Sequence, residues 1–199
     1  MVPAVFAAAP ATEDLPAIES GLSDPDFKNR RQALKKVEGL KSPRKLELLK
    51  RSLSDADPEM RERSARLLGK SRDKAAYKVL ADSLAAASVR DRLPLMGALG
   101  DLGDKRAVKP LAALLADPDR DTRLKAAEVL GRLKSDDAVT PLLSAASGDN
   151  DEFVRKASVE SLGKTGTQRS AAALRTLQAG ADKKTAAWAA NVLKAAGGK

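Results

Sequence analysis

The feature that most constrains this chain is a register. Leu-Gly pairs recur at Leu68-Gly69, Leu99-Gly100, Leu130-Gly131 and Leu162-Gly163, spaced 31, 31 and 32 residues, and an arginine stands seven residues before each leucine, at Arg61, Arg92, Arg123 and Arg155. One period earlier the register meets Arg30, Val37 and Glu38; one period later it meets Ala186, Leu193 and Lys194. Six units in a single register describe a repeat protein, in which each unit buries its apolar face against its neighbours rather than around one common core.

A second column says what the unit is. Four residues before each arginine position stand Asp26, Asp57, Ser88, Asp119, Asp151 and Asp182, all able to cap a helix by accepting an N–H of its first turn. Pro58 follows Asp57 at the first helical position, where its missing N–H costs nothing. Apolar or small residues then recur at helical spacing, as in Leu124, Ala127 and Leu130, and the glycine is expected to stop the helix. A second helix fills the rest of each unit. It starts at Ser42-Pro43, Asp73, Asp104, Ser135 or Asp136, and Thr167, and upstream Thr12 to Leu22 carries Leu15, Ile18 and Leu22 on one face. The chain therefore reads as twelve helices in six units, over 12–39, 42–70, 72–101, 104–132, 135–164 and 167–195, with a short tail at 196–199. Composition agrees: alanine and leucine dominate and Ile18 is the only isoleucine, which disfavours a chain built of strands.

The segments Asp55-Ala-Asp-Pro-Glu-Met-Arg61, Asp117-Pro-Asp-Arg-Asp-Thr-Arg123 and Asp149-Asn-Asp-Glu-Phe-Val-Arg155, each followed by its Leu-Gly, resemble HEAT repeats. More narrowly they resemble the short HEAT-like repeats of phycobilisome lyases and many bacterial repeat proteins, and the likeness spans residues 12–195. It implies an all-α, right-handed solenoid with the arginine-bearing helices lining the concave face. It also implies a structural ladder of Asp and Arg six residues apart: Asp24 with Arg30, Asp55 with Arg61, Asp117 with Arg123, and Asp149 with Arg155. The third unit has Ala86 in the aspartate column, which leaves Arg92 without its expected partner and free to reach a ligand. The sixth has Gly180 and Ala186, as a terminal unit would.

The absence of cysteine and histidine removes disulfides, thiolate and imidazole metal sites, and every His-dependent catalytic arrangement. No cofactor, metal ligand set or catalytic group is expected. Carboxylate pairs such as Asp136-Asp137 fall in turns and caps and lack the spacing of a calcium loop. The net charge of +9 is uneven: residues 1–26 carry five acids and no base, residues 27–78 a net +10, and residues 79–199 a net +4. A basic first third on a concave face points to an acidic partner. The expected role is a non-catalytic protein-interaction scaffold, with Arg31, Lys35, Arg63, Arg66, Arg92 and Lys125 as contacts around an apolar, proline-bent stretch at Leu93-Pro94. The alternative is sequence-independent nucleic-acid binding by the same groove, which its concave columns support poorly because Trp188 is their only aromatic. A lyase-type enzyme subunit is allowed by the resemblance but not supported by the residues. A monomer is expected.

Residues 1–11, Met1-Val-Pro-Ala-Val-Phe-Ala-Ala-Ala-Pro-Ala11, stand outside the repeats and read either as the end of a secretory signal, with Ala9-Pro10-Ala11 as a small-x-small site, or as an apolar cap on the first helix. Export and a cytoplasmic location are equally compatible with them. No stretch reaches the ~20 apolar residues of a membrane span.

Overall fold

The computed structural model describes residues 14–197; the signal-like segment 1–11 lies outside them. Among the described residues there are twelve α-helices and no strand, arranged in two layers. One layer holds α1 (Leu15–Gly21), α3 (Arg44–Ser52), α5 (Ala76–Ala86), α7 (Val108–Ala113), α9 (Val139–Gly148) and α11 (Gln168–Gly180). The other holds the arginine-bearing helices α2 (Phe27–Gly39), α4 (Pro58–Lys70), α6 (Val89–Leu102), α8 (Arg120–Leu133), α10 (Glu152–Thr165) and α12 (Lys183–Gly197). Short 3-10 turns flank α7 and precede α9, where Pro110 and Pro141 sit in the first turns and cost no hydrogen bond. The structure is an all-α solenoid.

The register explains the packing. The leucine column, Val37, Leu68, Leu99, Leu130 and Leu162, is wholly shielded from solvent, and so are Leu80, Leu111 and Leu142 of the opposite layer. Each such burial contributes about 2 kcal/mol relative to exposure. The core is thus a continuous seam between the layers, renewed once per unit.

The recurrent glycines do a different job from the expected one. Gly69, Gly100, Gly131 and Gly163 do not end their helices; α4, α6, α8 and α10 run on to Lys70, Leu102, Leu133 and Thr165. They are points of close approach. A β-carbon on Gly69 would lie 2.6 Å from the carbonyl oxygen of Ala98, and one on Gly131 would lie 2.7 Å from the β-carbon of Ser161. Gly163 faces Val192 in the same way. Glycine here lets successive arginine-bearing helices touch backbone to side, so this layer packs more tightly than the other and forms the inner side of the curve.

The true helix stops come three residues later. Gly103 and Gly166 adopt left-handed backbone with φ of 70 and 69°, and the same column is filled by Arg72 and Lys134 at 57 and 48°. An L-residue in that conformation costs about 1 kcal/mol that glycine does not. Most predicted caps form: the side chains of Asp26, Asp57, Asp119 and Asp151 accept first-turn N–H groups, Asp182 accepts those of Lys184 and Thr185, and Thr167 forms a reciprocal capping box with Ser170. Ser88 holds the N-cap position of α6 but makes no cap bond; its hydroxyl donates to Asp91 instead, at 2.9 Å.

Candidate interaction surface

At the turn inside four of the six units an aspartate first folds onto its own backbone. Asp24, Asp55, Asp117 and Asp149 each accept the N–H two residues on, at 2.7 to 2.9 Å. In all but the first, the carboxylate also meets the arginine of the preceding unit. Arg30 donates from Nε and Nη2 to Asp55 at 2.8 and 3.0 Å, while its Nη1 donates to the carbonyls of Asp24 and Pro25, both at 3.0 Å. Arg123 repeats this with Asp149 and with the carbonyls of Asp117 and Pro118. The expected pairing of residues six apart is therefore a contact with the aspartate's carbonyl, and the charged partner lies one unit further on. Burial works against ionisation of Asp55, but the Arg30 guanidinium and the Asp57 N–H outweigh it and hold its pKa below the ordinary value.

This corrects the expectation for Arg92. It is not unpaired: its Nη1 donates to Asp117 at 2.7 Å. The arginine deprived by Ala86 is Arg61 of the preceding unit, which reaches past the gap to Asp91 and donates to one of its oxygens at 3.0 and 2.9 Å. Burial raises the Asp91 pKa, but the Ser88 hydroxyl and Arg61 hold it below the usual range. Where Gly180 takes the aspartate column, Arg155 likewise stretches to Asp182, at 3.7 Å.

On the inner face the candidate contacts lie as follows. Arg31 and Lys35 are exposed on α2, with Arg31 3.3 Å from Glu59 of the next helix. Half-buried Arg63 reaches back to Glu38 at 3.0 Å, exposed Arg66 holds Glu62 at 2.6 Å, and half-buried Lys125 lies 3.6 Å from Glu128. Most of the expected basic contacts are thus already matched by acids; Lys35 makes no ion pair among the described residues. Further along, Leu93, Pro94 and Gly97 form the apolar stretch, half-buried, and a β-carbon on Gly97 would meet nothing within 4 Å.

Beside that stretch, where Ala86 replaces the aspartate, a cavity of about 390 Å³ opens between units two and three. Leu53, Ala65, Pro94 and Leu95 give it apolar walls, and Glu62, Asp82 and Asp91 face it against the single cation Arg61. The junction between units two and three is therefore locally acidic. Among the described residues no group of His, Cys, Asp and Glu could hold a metal ion, and no helix is long and apolar enough to cross a membrane.

The family model for HEAT repeats matches residues 15–94, 87–156 and 108–194. The chain belongs to the HEAT-repeat family. No curated protein matches it in sequence. Among solved structures it is similar to one described as the structural basis of microtubule plus end tracking by XMAP215, CLIP-170 and EB1, at 14% identity, covering 90% of each chain, with a TM-score of 0.64. It is also similar to a designed armadillo repeat protein in complex with the peptide (KR)4, at 18% identity, covering 92% of this chain and 99% of that one, with a TM-score of 0.60. The complex of CpcE and CpcF of phycocyanin lyase from Nostoc sp. PCC7120 has a TM-score of 0.49 at 21% identity, covering 91% and 81%. These are likenesses of fold.

Within the HEAT array, sequence reasoning missed two things. Asp91 stands outside every recurring column, so only the geometry reveals it as the substitute partner of Arg61. The signal for the neutralising glutamates was available: Glu38 and Arg63 are 25 residues apart, as are Arg30 and Asp55, the separation at which adjacent units meet.

Proposed function

We propose that the chain is a non-catalytic protein-interaction scaffold whose inner surface takes an acidic partner at its N-terminal units. The observation that carries this reading is the division of polar labour. The recurring Asp and Arg residues are consumed in holding units together, while Lys35, Arg31 and Arg66 stay exposed on adjacent inner helices. Beyond them the half-buried Leu93 and Pro94 offer an apolar seat. A partner segment with acids at one end and an apolar side chain at the other fits that order, and Lys125 of α8 flanks its far side.

Charge reversal at Arg31 and Lys35 tests the placement, because neither side chain belongs to the ladder and both are exposed. Capture of the partner should fall at least about tenfold, equivalent to ~1.4 kcal/mol. Unchanged capture would place the partner elsewhere. A salt titration with duplex DNA tests the competing reading, since backbone binding weakens steeply with salt; tight, salt-sensitive duplex binding in place of protein capture would replace the scaffold proposal.

A further inference from the structure

The two edges of the array differ in charge. The turns inside units carry the ladder aspartates, which are engaged as described. The turns between units carry cations. Lys41, Arg72 and Lys134 share one column with Gly103 and Gly166, and a broad depression of about 960 Å³ is lined by Arg72, Lys74, Lys105 and Arg106 with Asp101 and Asp104. We infer that this edge, from the turn after α2 to the turn after α8, is a docking strip for an extended acidic polypeptide segment. The inference shares the acidic chemistry of the proposed function but places it on another surface.

Three observations support the strip. The left-handed column needs only glycine to turn the chain, and Gly103 and Gly166 do so. Arg72 and Lys134 hold the same conformation against its steric preference, so two cations persist at positions where turn geometry alone favours their removal. Next, the side chains of Arg72 and Lys105 make no ion pair or hydrogen bond among the described residues. Arg106, by contrast, is fixed: it lies 4.3 Å over the Tyr77 ring and donates to Asp104 and to the carbonyl of Lys74. The strip thus combines one rigid guanidinium with the unengaged side chains of Arg72 and Lys105. It ends after Lys134, where Asp136 and Asp137 follow.

Spacing selects the occupant. Packed helices in one layer lie ~8–10 Å apart, and an extended chain advances ~3.3 Å per residue, so a carboxylate on about every third residue meets successive turns. Single-stranded nucleic acid calls for stacking faces, and Tyr77, the aromatic beside this strip, is already covered by Arg106. A bilayer calls for inserting apolar groups, and the exposed large hydrophobics among the described residues, Val89 and Phe153, open α6 and α10 on the opposite edge.

The test uses the full chain and a fluorescent twelve-residue peptide with glutamate at every third position, followed by anisotropy at low salt. Arg72→Gly with Lys134→Gly relieves the left-handed strain, so the variant should melt no lower than the parent while peptide affinity falls about three- to tenfold. A control with the same change in net charge at exposed positions of α3 and α12 outside both surfaces, Lys50→Gln with Lys183→Gln, should leave peptide affinity within about twofold. Unchanged affinity in the glycine variant overturns the inference. So does an equal loss in the control, which would mean that net charge alone sets the affinity and would leave the proposed function standing. Tighter binding of a duplex oligonucleotide or of phosphatidylserine vesicles than of the peptide also overturns it, in favour of that ligand.

Discussion

The junction between units four and five and the junction between units two and three are built from the same parts. At the first, Arg123 grips Asp149 with both side chains nearly buried, and Gly131 rests on Ser161. At the second, Gly69 rests on the Ala98 backbone just as closely, yet the arginine has lost its aspartate to Ala86 and holds Asp91 at about a quarter exposure on each side. Glycine contact and ladder closure are therefore separable. The inner helices can stay in contact while the turn edge opens, and the 390 Å³ cavity lies at that opening. A repeat protein can acquire a distinct pocket by a change in one turn, without disturbing its seam.

The largest effect expected is common to both junctions. Gly69→Val and Gly131→Val each drive a branched side chain into backbone or side-chain atoms, and each should destabilise by about 3 kcal/mol, near the upper end of overpacking. Urea melts of the two variants measure this; a mild effect at Gly69 alone would mean that the second junction is loose throughout. Next, Arg123→Ala strands a buried carboxylate and should cost about 3 kcal/mol, whereas Arg61→Ala should cost about 1 kcal/mol because its pair is wetter. Equal losses would erase the distinction between the junctions.

The register was legible because its columns are made of few residue types: leucine for the seam, aspartate for the cap, arginine for the rung. Its partners were harder to read. An arginine six residues from an aspartate looks like its partner along the chain, but the carboxylate faces the unit before it. The gap at Ala86 was therefore assigned to Arg92 when Arg61 bears it. The glycine column was misread for a related reason: a glycine ending a sequence pattern resembles a helix stop, and its closeness to Ala98 or Ser161 exists only once units are stacked. On the inner face the basic positions were visible, while the acids that offset Arg31 and Arg63 sit in neighbouring units.

Acid should reveal one ladder carboxylate, Asp55, together with the substitute partner Asp91 and two capping aspartates. Asp55, Asp91, Asp119 and Asp182 are held below their ordinary pKa, mainly by arginine and hydroxyl or N–H donors working against burial. A folded-state pKa below the unfolded value near ~3.9 contributes stability that is fully present at higher pH and lost as pH falls through the folded value. Melting temperature should be flat above about pH 5 and drop below about pH 4, with a shallower drop in Arg61→Ala. An acid-insensitive melt would refute an electrostatic contribution from these four carboxylates. The smallest effect concerns the gap itself. Ala86→Asp should add under about 1 kcal/mol and make Arg61→Ala more damaging in that background; additive changes would show that the new carboxylate does not reach Arg61.

The ladder's span has one further consequence. Arg30 meets Asp55, and Arg92 meets Asp117, across 25 positions. Excising 31 residues, 74–104, would bring Arg61 to the same separation from Asp117. The couplings are of a standard gauge, so the molecule can be shortened by a whole carriage and still join. Its reach is a quantity that changes in fixed steps, while the fittings at each step stay the same.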